Sequence, residues 1–332
     1  MYQEATQIQK LFDSARHIAI IQPDNPDGDS LGSALALEQI LAGQQKTTSL
    51  VCGTAIPSYL HYFSGWDRVE TELPNQYDLA VLVDTSSLSL LDNLLHTNKA
   101  LLTKRPLIIL DHHSTDSSID NASVRLNVTG AAATAEVIYE LSRQLSWQIN
   151  TAAANSLAAA ILSDSLGLVS DKTSARTIHI IGELVEQGVS MSALDNSRRE
   201  GLRKSPQIVH YKGSLLERIE YYSQDRIALL TIPWKEIETY SPEYNPSALA
   251  LEDMRLTTNT IIVAVIKIYP DGKLTGKIRA NYGYPLAAKL AEKFGGGGHE
   301  YASGFKLEDK RDPNQLKRQL IQFAEELIDA PV

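Results

Sequence analysis

Acidic and histidine side chains follow several short apolar runs of this sequence, where buried strands are expected to end. These groups are Asp27 and Asp29 after residues 17–21, Asp84 after residues 79–83, and Asp111, His112 and His113 after residues 107–110. A further carboxylate, Asp164, is expected at the end of an Ala-rich helix. Because open parallel sheets bind ligands outside the carboxyl ends of their strands, these side chains are expected to converge.

Carboxylates and imidazoles gathered in one cleft would repel one another unless a cation lay among them. Oxygen ligands with one or two imidazoles suit Mn²⁺ or Mg²⁺, whereas the single cysteine, Cys52, offers no zinc cluster. Two such ions about 4 Å apart are a common device for phosphoryl hydrolysis, in which they acidify a water and neutralise charge. Singly, Asp27 and Asp29 have an explanation as turn and N-cap residues, and Asp84 as a helix cap. Their shared placement at strand ends favours a metal site.

The elements that would position these groups alternate between strands and helices. Apolar runs at residues 17–21, 47–52, 79–83 and 107–110, separated by helical segments, predict an α/β fold with a parallel sheet flanked by helices. A charged stretch near residues 196–204 marks a linker. We therefore predict a first domain over residues 1–188, a linker over 189–214 and a smaller α/β domain over 215–332.

Length and composition bound the class of protein. A chain of 332 residues exceeds what one core usually organises. Its net charge of −9 argues against a protein that grips long nucleic acid, because that binding draws on many Lys and Arg contacts. No apolar stretch approaches the length of a membrane span, the N-terminus lacks the pattern of a signal peptide, and one cysteine fits a reducing compartment. We expect a cytoplasmic protein without a membrane partner.

Four ordered motifs, NPDGDSLGS, VDTS, DHHSTD and SDSLGL, resemble those of the DHH phosphoesterase superfamily. The C-terminal sequences GKIRA and FGGGGHEYASGF resemble the DHH-associated domain of its nanoRNase and pAp-phosphatase branch. The resemblance covers nearly the whole chain. It implies a DHH domain joined by the linker to a DHH-associated domain, with an active cleft between the two and the linker as a hinge.

The resemblance also implies a role for each acid. Asp27 would bind a first metal ion and Asp29 a second, with Asp84 bridging both. His112 and Asp164 would complete the ligands of the second ion. The expected ions are Mn²⁺, or Mg²⁺ or Co²⁺ in its place.

The remaining two motif residues would act on the substrate. His113 would face the phosphate or help to protonate the leaving group. Asp111 would orient both histidines, as acceptors for metal-bound imidazoles commonly do. These two residues are therefore the expected catalytic pair.

One position departs from the family pattern. A histidine that binds the first metal usually stands where this chain has Pro23. Proline has no ligand atom, so either Asp24 or Asn25 substitutes or the first ion keeps an extra water and binds more weakly. Whether one ion or two bind stays open.

The second domain is expected to recognise the substrate. The resemblance and the chemistry of glycine-rich anion sites point to Gly296, Gly297, Gly298 and His299, with Arg279 clamping a phosphate. Ser33, near the start of the second helix of the chain, is expected beneath a phosphate. The alternatives are a flexible loop at residues 295–298 and an exposed strand cation at Arg279. Lys277 and Lys289 are interpreted as surface charges.

The sequence therefore predicts a metal-dependent phosphohydrolase of the phosphodiesterase or exoribonuclease type that uses a metal-activated water. Its substrates would be short oligoribonucleotides, linear dinucleotides or 3′-phosphoadenosine 5′-phosphate (pAp). Long duplex nucleic acid is not an expected partner, and the nanoRNase relatives suggest a homodimer. Alternatives are a pyrophosphatase or polyphosphatase, and a degenerate nucleotide-binding module that has lost catalysis through Pro23.

Overall fold

The computed structural model describes residues 1–330 except residue 86 and residues 98–104 and 115–117. Ser86, Thr115 and Asp116 of the quoted motifs therefore lie outside the described residues. The chain divides into two compact units, Met1–Arg203 and Lys204–Val332. Each unit combines a sheet with helices, which confirms the predicted α/β class with two domains. The division falls inside the stretch assigned to a linker, and that stretch contains helical residues.

The sheet of the first unit is parallel throughout its described strands. They are β1 (His17–Gln22), β2 (Thr47–Cys52), β3 (Leu79–Val83), β4 (Leu107–Asp111) and β5 (Val124–Asn127). Their order across the sheet is β2-β1-β3-β4-β5. Since β1, β3 and β4 are neighbours, the three strand ends that carry acids lie side by side. β5 was not predicted, because it has four residues and only two of them are buried.

Helices cover both faces of this sheet, with one apolar core on each face. The helices described in the first unit are α1 (Ala5–Ser14), α2 (Gly28–Ala42), α3 (Asp92–Thr97), α4 (Thr134–Gln144), α5 (Thr151–Asp164), α6 (Ala175–Glu186) and α7 (Met191–Gly201). No helix among the described residues of the chain is both long and apolar enough to cross a membrane.

A glycine lets α2 and α5 pack closely against each other. A Cβ on Gly32 would lie 2.7 Å from the Cβ of Ala160 and 2.8 Å from the carbonyl oxygen of Ser156. Any larger residue at this position would force the two helices apart. This contact matters for the site, because the first turn of α2 carries Asp29 and the last residue of α5 is Asp164.

The second unit is built on a mixed sheet. Its described strands are β6 (Glu220–Tyr222), β7 (Ile227–Ile232), β8 (Ile262–Ile268), β9 (Leu274–Ala280), β10 (Gly297–His299) and β11 (Ala302–Leu307), in the order β10-β11-β9-β8-β7-β6. Its described helices are α8 (Pro206–Glu217), α9 (Trp234–Tyr240), α10 (Pro246–Arg255), α11 (Ala287–Glu292) and α12 (Pro313–Asp329). One apolar core fills each face of the sheet.

Candidate active site

A buried histidine lies at the centre of the acids of the first unit. The Nδ1 atom of His112 lies 3.1 Å from the carbonyl oxygen of Ala131, which can only accept a hydrogen bond, so Nδ1 carries a proton. The Nε2 atom lies 3.7 Å from Asp29, 3.5 Å from Asp84 and 3.4 Å from Asp164. Burial lowers the pKa of His112, which favours the neutral imidazole. Nε2 therefore presents a lone pair to three carboxylates.

Asp29 is fixed by the N-terminus of another helix. Its carboxylate accepts hydrogen bonds from the backbone N–H groups of Thr134, at 2.6 Å, and Ala135, at 3.1 Å, in the first turn of α4. Burial first, and then the charges of Asp27 and Asp164, raise the pKa of Asp29 to about 7. A side chain held this firmly in a buried position needs a cation beside it to stay ionised at neutral pH.

Ser33 lies against Asp29 rather than in the open part of the site. Its hydroxyl is fully buried and donates to the Asp29 carboxylate at 3.1 Å. The sequence pointed to Ser33 as a substrate ligand because it lies near the start of α2. Its burial gives it a positioning role instead, since it orients the carboxylate.

Asp84 follows β3 in a strained backbone conformation. Its φ of +60° lies in the left-handed region, which residues with a Cβ adopt at a cost of about 1–3 kcal/mol. Its N–H group still donates to the carbonyl of Leu110, and its carboxylate accepts the hydroxyl of Thr134 at 2.9 Å. Burial and the charges of Asp29 and Asp27 raise the pKa of Asp84 well above its usual range. Such strain beside crowded acids is typical of a functional site.

Asp111 and His113 form a second, more exposed pair. The fully buried Asp111 carboxylate accepts the backbone N–H of His112 at 2.8 Å and Nδ1 of His113 at 2.8 Å. The His113 side chain is 47% exposed, and the hydrogen bond to Asp111 raises its pKa. Because Nδ1 donates to Asp111, Nε2 is the ring atom that a substrate can reach.

Asp27 and Asp164 flank these groups. Asp27 is the N-cap of α2, and its carboxylate accepts from the N–H groups of Asp29, at 3.0 Å, and Ser30, at 2.9 Å. Asp27 is thus an N-cap residue, as one interpretation of the sequence proposed. Its charge nevertheless reaches the cluster, since it helps to raise the pKa of Asp84 and Asp164, after burial in each case.

The donor atoms fit a divalent cation. Two overlapping triads, Asp29 with His112 and Asp164, and Asp84 with His112 and His113, each hold their ligand atoms within 4.8 Å of one another. The donors are carboxylate oxygens and imidazole nitrogens, which suit Mn²⁺ or Mg²⁺. Nε2 of His112 carries a lone pair and no proton, and it faces three carboxylates. This arrangement is the observation that best supports a bound cation.

Pro23 and Asp24 lie outside both triads. Pro23 is buried, and its carbonyl oxygen accepts from the thiol of Cys52. One Asp24 carboxylate oxygen accepts the N–H of Asn93 in the first turn of α3, at 2.8 Å. Within the described part of the chain, Asp24 belongs to neither triad. Asp24 therefore binds the start of α3 through one oxygen, and its role as a substitute for the histidine stays a prediction.

In the second unit, the sheet register brings the predicted phosphate ligands together. Arg279 on β9 pairs with Ala302 on β11, which in turn pairs with His299 on β10. Directly paired residues share a face of a sheet, so Arg279 and His299 lie on the same face. The small Ala302 between them leaves that face open.

The next row of this face contains a second cation. Lys277 on β9 pairs with Gly304 on β11, which pairs with Gly297 on β10, and its side chain is exposed, in agreement with its interpretation as a surface charge. Burial and the charge of Arg279 lower the pKa of Lys277. Burial and the charge of Arg255 lower that of Arg279, against an opposite effect of Glu252. No ion pair of Lys277 or Arg279 is found among the described residues. Two neighbouring cations without an ion pair favour an anion.

Only two of the four glycines lie in a loop. Gly295 and Gly296 follow α11 outside any helix or strand, whereas Gly297 and Gly298 form β10 with His299, and β10 pairs with β11. The backbones approach so closely that a Cβ on Gly296 would lie 2.2 Å from the carbonyl oxygen of Gly304. Gly298 has a φ of +141°. At Gly296 and Gly298, the absence of a side chain is required by the strand pairing itself.

This packing predicts different effects for two neighbouring substitutions. Gly296→Ala is expected to lower the free energy of unfolding by about 2 kcal/mol, because its Cβ meets backbone atoms that cannot move aside. Gly297→Ala is the matched control, since a Cβ there has no atom within 4 Å, and it should change stability by less than about 0.5 kcal/mol. Urea unfolding of both variants measures the difference; equal effects would contradict the close approach.

Comparisons with known proteins agree with this geometry. The N-terminal domain of the DHH family matches residues 17–161. The bifunctional oligoribonuclease and PAP phosphatase NrnA of Bacillus subtilis is 25% identical over 283 residues, which is 84% of this chain and 85% of that protein. A probable NrnA of Streptococcus mutans is 26% identical over 302 residues, 90% of this chain and 92% of that protein.

A solved structure shares the whole fold. The exopolyphosphatase-related protein of Bacteroides fragilis superposes with a TM-score of 0.85 at 19% sequence identity, over 98% of both chains. The motif residues Asp29, Asp84, His112 and Asp164 converge in the first unit as the resemblance implies. The match at residues 17–161 identifies a DHH family N-terminal domain in this chain, and the NrnA relatives, which match over most of the chain, support the nanoRNase and pAp-phosphatase branch of the DHH phosphoesterase superfamily.

Proposed function

We propose that this protein is a divalent-metal-dependent phosphohydrolase that cleaves phosphoester bonds in short nucleotides. The observation that carries the proposal is the His112 lone pair, which faces Asp29, Asp84 and Asp164 at 3.4–3.7 Å. The similarity to NrnA proteins, which are named for oligoribonuclease and PAP phosphatase activity, supports the nucleotide class.

We propose Mn²⁺ as the ion, with Mg²⁺ and Co²⁺ as substitutes. Asp29, Asp84, His112 and Asp164 would hold one ion. A second ion would have Asp27 and Asp84 but no histidine, and would bind more weakly. When bound, such ions supply positive charge for the phosphate oxygens and lower the pKa of a water.

His113 is proposed to act on the leaving group. Its Nδ1 is held by Asp111, which fixes the ring and leaves Nε2 for the substrate. Because Asp111 raises the pKa of His113, the imidazolium form is favoured, and Nε2 can donate a proton to the oxygen that departs. Asp111 orients and charges the ring without reaching the substrate itself.

Loss of this imidazole should therefore affect turnover more than binding. His113→Ala is expected to lower kcat by about a hundredfold, with little change in KM, because a positioned general acid contributes about that much. His179→Ala, an exposed histidine on α6, is the control and should retain full activity. A change confined to KM in His113→Ala would contradict the proton-donor role. Steady-state kinetics with pAp measure both constants.

The open face of the second sheet is proposed to bind phosphate. Arg279 offers planar N–H donors, Lys277 lies two residues away on the same strand face, and His299 lies across Ala302 from Arg279. Two residues of a strand span about 6.7 Å, so the two cations can hold between them a phosphate of the substrate other than the one that is hydrolysed.

Removing either cation should weaken substrate binding. Arg279→Gln and Lys277→Gln are each expected to raise KM for pAp by about tenfold, and kcat should change less, because neither residue is proposed to join the chemistry. Lys289→Gln, an exposed lysine on α11, is the matched control. If all three variants have the KM of the unaltered protein, this face does not bind the substrate.

The function itself is tested by hydrolysis of three substrates in parallel. Full-length protein is incubated with Mn²⁺, Mg²⁺ or Co²⁺ and with labelled dinucleotides, pAp or pyrophosphate. Turnover of dinucleotides or pAp supports the proposal. Turnover of pyrophosphate alone would identify a pyrophosphatase, and binding of nucleotides without turnover a non-catalytic module. Light scattering of the same sample tests the expected homodimer.

A further inference from the structure

A cavity in the first unit is lined by Ser163, the residue before the proposed metal ligand Asp164, and has no role in the site described so far. It measures about 480 Å³, within the range of small-molecule sites. Its apolar walls come from Leu162 at the end of α5, Leu166 just beyond it, and Met191 and Leu194 on α7. The Leu166 side chain is 72% exposed, so this wall of the cavity is open to solvent.

The cavity reaches the acids through Ser163. This residue lines the cavity and directly precedes Asp164. A Cβ on Gly28 would lie only 2.1 Å from the Ser163 hydroxyl, so Ser163 packs on the turn between Asp27 and Asp29. Ser163 therefore connects the wall of the cavity to the turn that carries two of the acids.

Three polar side chains also line the cavity. The guanidinium of Arg198 donates to Asp195 at 2.8 Å through one Nη atom, which leaves other N–H donors of the group. Tyr62 contributes an aromatic ring and a hydroxyl. Burial raises the pKa of Tyr62; the charge of Arg198 lowers it, and those of Tyr59 and Asp27 raise it further.

We propose that this cavity binds the base of the nucleotide whose phosphate is hydrolysed. The proposal rests on the proposed function and names the substrate class that the first unit selects. Leucine and methionine walls suit the flat faces of a purine or pyrimidine, and the Arg198 N–H groups suit its ring nitrogen and carbonyl acceptors. Pyrophosphate or polyphosphate would gain nothing from these apolar walls. The base site therefore gives the enzyme a preference for nucleotides.

Methionine methyl signals report directly on the cavity. The chain has three methionines, Met1, Met191 and Met254, of which Met191 lines the cavity and Met254 is fully buried in the second unit. Protein labelled with ¹³C at the methionine methyl groups is titrated with AMP or ribose 5-phosphate in the presence of Mg²⁺. Met191→Leu assigns the signal. AMP should shift the Met191 signal through the ring current of its base, and ribose 5-phosphate should not.

Two substitutions then test the contribution to affinity. Met191→Trp, which fills the cavity, and Arg198→Gln, which removes the donors, are each expected to weaken AMP binding by at least about tenfold. Binding of ribose 5-phosphate should change less than about twofold. Arg199→Gln is the matched control, because Arg199 also pairs with Asp195 but does not line the cavity. Calorimetry measures all three variants.

The outcomes separate this inference from the proposed function. Saturable AMP binding without a Met191 shift, or equal weakening of AMP and ribose 5-phosphate, overturns the base site and leaves the hydrolase intact. A Met191 shift in a protein that hydrolyses no phosphoester overturns the hydrolase and leaves the base site. If AMP does not bind, the base site is wrong.

Discussion

Asp84→Asn is expected to lower kcat/KM for pAp or dinucleotides by at least about a thousandfold. Asp84 is the residue that both proposed ions share, and its carboxylate lies 3.5 Å from Nε2 of His112. Asparagine keeps the shape of the side chain but removes the charge that would hold the cations. A loss of this size is typical when electrostatic stabilisation of the transition state is removed. Steady-state kinetics with saturating Mn²⁺ measure the effect.

Two controls separate lost chemistry from lost folding. Asp67→Asn, an exposed acid of the first unit, should retain full activity. Asp84→Asn removes a charge from a buried, crowded site, so its metal-free form should unfold at the same temperature as the unaltered protein or above it. An Asp84→Asn variant that is folded and retains more than about a tenth of the activity would contradict the metal-centre assignment.

The convergence of the acids could be predicted from the sequence because each lies at the end of a short apolar run. β1, β3 and β4 are such runs, and strands buried on both faces in a parallel sheet are recognisable without further information. The order of strands in a parallel sheet then places their ends together. The separate second α/β domain could also be predicted, because a charged stretch near residues 196–204 marks a linker before it.

The groups that fix the acids could not be predicted, because they come from distant parts of the chain. Asp29 is held by Thr134 and Ala135, more than a hundred residues away, and His112 by the carbonyl of Ala131. These partners are backbone atoms, which every residue type has. No local pattern in the sequence distinguishes a backbone N–H that binds a carboxylate from one that does not.

Lys277 of the second unit was interpreted from the sequence as a surface charge, and its side chain is exposed. What the sequence could not show is the strand register, which pairs Lys277 with Gly304 across the sheet and leaves the space beside it open. The helices α9 and α10 were not predicted either. α9 has only seven residues, whereas α10 carries a common start signal, Asn245 as N-cap followed by Pro246.

The metal-free protein is expected to lose stability as the pH rises from 5 to 8. The pKa of Asp29 is raised to about 7 in the folded state, above the value of about 4 expected in the unfolded chain. Between these values the folded state binds more protons than the unfolded state, so the free energy of unfolding falls with increasing pH. Between pH 5 and pH 8, a shift from about 4 to about 7 corresponds to about 2–3 kcal/mol for this group.

Neighbouring groups modify this dependence without reversing it. Burial raises the pKa of Asp84 and Asp164 as well, so both add to the fall. Burial lowers the pKa of His112 below the value of about 6.5 expected in the unfolded chain. This group alone would make the free energy of unfolding increase with pH up to about 6.5, which opposes the effect of the carboxylates. Three carboxylates outweigh one imidazole, and the net slope is negative.

Thermal unfolding in EDTA at pH 5 and pH 8 measures this slope, and added Mn²⁺ should remove most of it. The cation favours the ionised carboxylates, so the folded state no longer needs their protons to relieve the repulsion. Asp29→Asn should flatten the slope even without metal, because asparagine carries no charge. Its single amide oxygen can accept only one of the two N–H groups of α4, so the variant is expected to be less stable at both pH values. A metal-free protein that is equally stable at both pH values would mean that Asp29 and Asp84 are not crowded as buried charges. The metal ion would then have no electrostatic reason to bind there.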